Sequence, residues 1–63
     1  MCESNAYVLT PDGEKMLMEN VANMKIDSGK IFLTSLLGDE KTINGIIQEI
    51  KLLEHKILIS EKA

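Results

Sequence analysis

The chain has no arginine and no tryptophan, only two aromatic residues (Tyr7 and Phe32), and a single cysteine at position 2 in 63 residues. Each scarcity excludes something. One cysteine rules out an intramolecular disulfide as the staple of a small fold. Without arginine the chain lacks the planar, bidentate fork that reads guanine edges and clamps phosphates. Two aromatics are too few for a stacking platform on which bases of single-stranded RNA could lie. No apolar run approaches the roughly 20 residues needed to cross a bilayer as a helix. The start of the chain has neither the basic region nor the apolar stretch of a signal peptide. The expectation is therefore a cytoplasmic protein, no membrane partner, and a thiol kept reduced.

What remains is aliphatic and acidic. Apolar residues make up 44% of the chain, against 7 lysines and 10 acidic residues, for a net charge of −3. Lysines 15, 25, 30, 41, 51, 56 and 62 are interleaved with the acids, which reads as a solvated surface and makes RNA a poor partner. A chain this short hides only about 60% of the surface its unfolded form exposes, so its core is marginal. With a disulfide excluded, the remaining supports are a metal, a second copy, or both. A homodimer is the simplest expectation.

Turn signals follow one another at the spacing of a small all-β domain. Pro11-Asp12-Gly13 separates AYVLT from EKMLM, with proline presetting the first turn angle and glycine accepting a positive φ. Ala22, Met24 and Ile26 then alternate with Asn23, Lys25 and Asp27, the pattern of a half-buried strand. Ser28-Gly29 turns the chain into KIFLTSLL, which is apolar enough to be the most buried strand, with no wet face. Gly38-Asp39-Glu40-Lys41 is the next turn, and Asn44-Gly45 marks a tight bend or a kink.

The last third fits two templates. Ile46, Ile50, Leu53 and Ile57 fall at helical spacing, with Glu49, Lys51, Glu54 and Lys56 opposite. A strand pattern also fits, with Ile46, Ile50 and Leu52 on one side and Glu49 and Lys51 on the other. Ile57 and Ile59 then follow a turn at Glu54-His55, and the density of β-branched residues favours strands.

No residues are placed for catalysis. Glu3, Asp39 and Glu40 read as solvating charges rather than an acid–base pair, and no nucleophile is set beside a base. Gly38-Asp39-Glu40 opens no helix and so is not a phosphate loop. An enzyme is not expected. Met16, Met18 and Met24 are spaced for core packing rather than for a soft copper(I) site, and His55 reads as a solvated turn residue.

The Met1-Cys2 start, the VLTPDG hairpin, the stretch ENVANMKIDSGKIFLTSLLGDEK and the closing NGIIQEIKLLEHKILIS together resemble the CooT family. These are small nickel-binding accessory proteins linked to carbon monoxide dehydrogenase maturation, a family also labelled by prediction as RNA-binding. The resemblance runs from Met1 to about Ser60. It implies a small SH3-like or Sm-like β-barrel of about six short strands, one domain over residues 1–63, that pairs as a homodimer. It resolves the last third as a β-hairpin. It also implies that Cys2, the residue after the initiator methionine, is the nickel ligand, while no ligand role transfers to His55.

The chemistry at that end suits the metal. With Met1 retained, its α-amine, the deprotonated amide of Cys2 and the Cys2 thiolate close two adjacent five-membered chelate rings, a donor set for square-planar Ni(II) in which Cu(II) would compete. With Met1 removed, Cys2 offers its own amine and thiolate, with the amide of Glu3 adjacent. Both sets must lose protons from groups with ordinary pKa values of about 8.5 and 7.8, so binding strengthens as pH rises. A two-fold axis near the chain starts would bring two Cys2 thiolates to one ion. Two other classes stand beside this reading: a small RNA-binding β-barrel, and an adaptor whose barrel edge accepts a partner strand.

Overall fold

The computed structural model describes residues 3–62. They form five strands: β1 (Ser4–Thr10), β2 (Gly13–Asp27), β3 (Lys30–Ser35), β4 (Glu40–Lys51) and β5 (Lys56–Glu61). Each strand pairs with the next in sequence, and β5 returns beside β1 to close the ring. The four sequential pairings are antiparallel, as hairpins require, whereas β1 and β5 run parallel. Parity dictates that exception, because in an up-and-down series of five the first and last strands point the same way. Closure pairs each strand with two neighbours and so shortens the exposed edges that a small open sheet would present to other chains, although among the described residues β2 has β1 as its one strand partner before Val21.

The two long strands turn the corners of the barrel. β2 pairs with β1 over residues 13–21 and with β3 over residues 21–27. β4 pairs with β3 over residues 40–44 and with β5 over residues 45–51. The corner in β2 falls at Asn20, whose φ is 52°; the ladder to β1 slips across it, between Ser4 and Ala6, and the ladder to β3 slips just after it, between Val21 and Asn23. Asparagine tolerates this left-handed conformation better than most side chains. The corner in β4 falls at Gly45, where a Cβ atom would run into the Ser60 carbonyl oxygen and lie 3.1 Å from Glu61 Cα. Only glycine lets the β4 and β5 backbones approach so closely.

These corners correct the expected count of six strands to five. EKMLM and the run from Ala22 to Asp27 are not separate strands, because Asn20 absorbs the bend and β2 continues through it for 15 residues. Asn44-Gly45 is a kink inside a strand rather than a turn. The last third is the β4–β5 hairpin, and not a helix.

The core is built from Ala6, Met18, Ile31, Leu33, Ile43, Ile57 and Ile59, with Leu17, Val21, Met24 and Ile47 packed around it. Burial departs from expectation in two strands. β3 does have a wet face, since Ile31, Leu33 and Ser35 are buried while Lys30 and Phe32 are exposed. The strand most shielded on both faces is β5, where Ile57, Leu58 and Ile59 are buried in succession, with Leu58 flanked on its outer side by Tyr7 and Glu49. In β4 the buried row is Ile43 and Gly45, followed by half-buried Ile47. Ile46 and Ile50 are about half exposed: Ile46 alternates outward between Gly45 and Ile47, and Ile50 lies beyond a slip between Ile47 and Glu49.

Candidate functional site

The chain enters β1 at a fixed point. The Asn5 N–H donates to the His55 carbonyl at 2.9 Å, and the Asn5 side-chain oxygen accepts from the Asn20 N–H at 3.0 Å. Two residues in the left-handed region, Asn20 and His55 (φ 56°), thus hold the start of β1 between the β2 corner and the β4–β5 turn. In that turn the His55 N–H donates to the Leu52 carbonyl at 3.3 Å. The fold uses the backbone of His55, whose side chain is only half buried. The same turn holds Leu52 and Leu53 out to solvent, 78% and 97% exposed, beside a half-exposed Ile50. Charges of both signs flank them at Lys51, Glu54 and Lys56.

On the outer wall Lys56 joins three strands. Its Nζ lies 3.2 Å from a Glu14 carboxylate oxygen and 5.2 Å from the centre of the Tyr7 ring. The hydrogen bond to Glu14, and then the charge of that carboxylate, raise the Lys56 pKa above its ordinary value. The ammonium therefore persists across the neutral range, and this exposed contact is a tie between strands rather than a proton donor.

Of the residues singled out in the sequence, Met1 and Cys2 lie outside the described residues. The anchor, Asn5, stands three residues after Cys2 in the sequence. The methionines do not converge. Met18 is in the core and Met24 packs against it, but Met16 is half exposed and pairs with Tyr7, while Met18 pairs with the next residue back, Ala6. The slip at Leu17 thus turns Met16 out of the core that its spacing predicts. Among the described residues no group of three or more His, Cys, Asp and Glu side chains is clustered to hold a metal ion.

A second feature went unread in the sequence. Between β2 and the β3–β4 loop lies an open groove of about 590 Å³, lined by Met16, Leu17, Leu36, Leu37, Asp39 and Lys41 among others. The loop is tightly built. Buried Ser35 accepts at Oγ from the Leu37 N–H at 3.2 Å and from the Asp39 N–H at 3.0 Å. Its own N–H donates to the Asp39 carbonyl at 2.8 Å, and its carbonyl accepts from Gly38 at 3.0 Å. Leu36 is tied to the β2 corner through its N–H and the Asn20 carbonyl, at 2.9 Å. The result is a rigid display of Leu37, 90% exposed. Its sequence signal was Ser35 placed three residues before Gly38, a turn signature hidden inside the apolar run.

The fold and these surfaces define a class: a small closed β-barrel with an anchored first strand, an exposed apolar turn and a groove. The chain belongs to the CooT family, since the model of CO dehydrogenase accessory protein CooT matches residues 1–60. It is thus an accessory protein rather than an enzyme. Its structure is similar to a crystal structure described as that of a CooT from Carboxydothermus hydrogenoformans, at 26% identity and a TM-score of 0.89, covering 98% of this chain and 100% of that one. No curated protein matches the chain. Among the described residues no helix is long and apolar enough to cross a membrane.

Proposed function

We propose that the chain binds Ni(II) through Cys2, with backbone donors of Met1 and Cys2 completing the chelate, and passes it to a nickel enzyme such as carbon monoxide dehydrogenase. The metal is cargo, and one ion is shared by the two Cys2 thiolates of a homodimer. The observation that carries this reading is the family match over residues 1–60, which takes in the Met1-Cys2 start.

Two features of the fold support it. The Asn5 hydrogen bonds to His55 and Asn20 fix the start of β1, three residues after Cys2 in the sequence. The apolar turn beside it supplies surface for a second copy to cover, and an isologous contact there brings both chain starts to one axis. A site with few protein ligands also suits a protein that must release its metal, whereas a closed four-ligand site would retain it. The RNA-binding reading gains no support from a chain of net charge −3 that lacks arginine.

Titration of the purified protein with Ni(II), beside the Cys2→Ser variant, tests the proposal. The expected result is one metal per two chains and at least a tenfold loss of affinity in the variant. Equal affinity in the two proteins would remove Cys2 as a ligand. One metal per chain would remove the shared site and leave the ligand in place.

A further inference from the structure

We infer that the groove between β2 and the β3–β4 loop receives an extended polypeptide segment carrying aliphatic side chains flanked by lysine or arginine. The inference goes beyond nickel binding and does not rest on it. β3 pairs with β2 only from Val21 onward, so on that side residues 13–20 of β2 have no strand partner among the described residues. A row of unpaired backbone groups is a template for strand addition. One of its acceptors, the Leu17 carbonyl, is met by a side chain instead of a strand: Lys41 Nζ lies 3.0 Å away. Lys41 is itself exposed, and a flexible ammonium of that kind can move into water when a backbone N–H takes its place.

The lining indicates what the segment must carry. Met16, Leu36 and Leu37 are 50%, 54% and 90% exposed and offer apolar contact along the open edge. Ser35 and Asn20 hold the loop in place beforehand, which lowers the entropy lost on binding. Around these side chains stand Glu19, Asp39 and Glu40, three carboxylates against the single ammonium of Lys41. A basic segment is attracted to that rim. A second copy meeting this groove across a two-fold axis would set the same carboxylates against each other, and a phosphate backbone would be repelled. The occupant that fits is therefore a strand of another protein.

The test is a titration of the metal-free, isotope-labelled full chain with a capped seven-residue peptide of alternating lysine and valine, followed by amide NMR shifts. Saturable shifts confined to residues 16–20 and 36–41 are expected. A peptide of alternating glutamate and valine should leave those amides unmoved. Leu37→Asn, which removes the apolar contact without changing the charge of the rim and lies at a position 90% exposed, should weaken the lysine–valine peptide at least tenfold. Equal response to both peptides, no response up to millimolar peptide, or an unaltered affinity in Leu37→Asn would each overturn the proposal. So would movement of the same amides on simple dilution of the chain, which would give the groove to a second copy.

Discussion

Gly45 and Asn20 occupy equivalent places in the two long strands, and they solve the corner problem in opposite ways. Gly45 turns by having no side chain: Gly45→Ala would drive a Cβ into the Ser60 carbonyl. That atom is backbone inside a paired strand and cannot rotate aside, so the strands must separate. A loss of about 1–3 kcal/mol, the usual range for overpacking, is expected as a lowered urea midpoint. Asn20 turns by adopting a φ of 52°, which costs a β-branched residue about 1–2 kcal/mol more than glycine or asparagine. Asn20→Val should therefore lower the midpoint by that amount. Asn20→Gly should lie close to the native protein, because the bonds at this corner come from the Asn20 backbone and not from its side chain. If both variants lose equally, the side chain has a role that the backbone geometry does not contain. Asn44-Gly45 was legible as a kink because a glycine inside a strand pattern marks a bend or a close approach of two backbones. Asn20 was not, because one asparagine amid Glu19, Val21 and Ala22 looks like any polar strand residue, and so one bent strand reads as two.

Among the elements, the turns were legible and the faces were not. Ser28-Gly29 gives two successive positive φ values, 52° and 75°, as a tight hairpin between twisted strands requires. The β4–β5 hairpin was ambiguous for a physical reason: the slip after Ile47 shifts the apolar period by one, and a strand with a shifted period imitates helical spacing at Ile46, Ile50, Leu53 and Ile57. The β3–β4 loop hides in the same manner, since SLL reads as continued strand until Ser35 is seen to bend back upon it. That loop gives an element-scale prediction. Ser35→Ala leaves the N–H groups of Leu37 and Asp39 without their side-chain acceptor, and water replaces part of what is lost. A cost of about 1–2 kcal/mol in a chemical melt is expected. The amides of residues 36–39 should also exchange faster with solvent than those of β5. Unchanged exchange in the loop would mean that the backbone bonds between Ser35, Gly38 and Asp39 suffice to hold it.

At the scale of the whole molecule, the closed sheet uses few apolar residues and leaves many outside. Nine large hydrophobic side chains are exposed among the described residues, and Leu52 and Leu53 are two of them. A chain of 63 residues has a marginal core, so apolar surface at its rim is stabilising only when something covers it. This is why the site was the less legible part of the protein. Cys2 is a proposed ligand that lies outside the described residues, and the apolar turn beside the start of β1 emerges only when the Asn5 N–H is seen on the His55 carbonyl. If a second copy covers that turn, folding and association are linked, and the thermal midpoint must rise with chain concentration. Leu53→Asp, at a position 97% exposed in the single chain, removes no contact within the barrel. On the proposed reading of a dimer sharing one Ni(II), it is expected to abolish the concentration dependence, to give a monomer by sedimentation, and to leave a weaker complex of one ion per chain. If the proposed nickel-binding dimer forms, Ni(II) at about 100 times its Kd should add about 2.7 kcal/mol of stability by mass action, and the variant should gain less at the same metal concentration because its complex is weaker. A native midpoint independent of concentration would show that the turn is not the dimer contact. Leu53→Asp with native association and native stoichiometry would place the shared site on another face of the barrel.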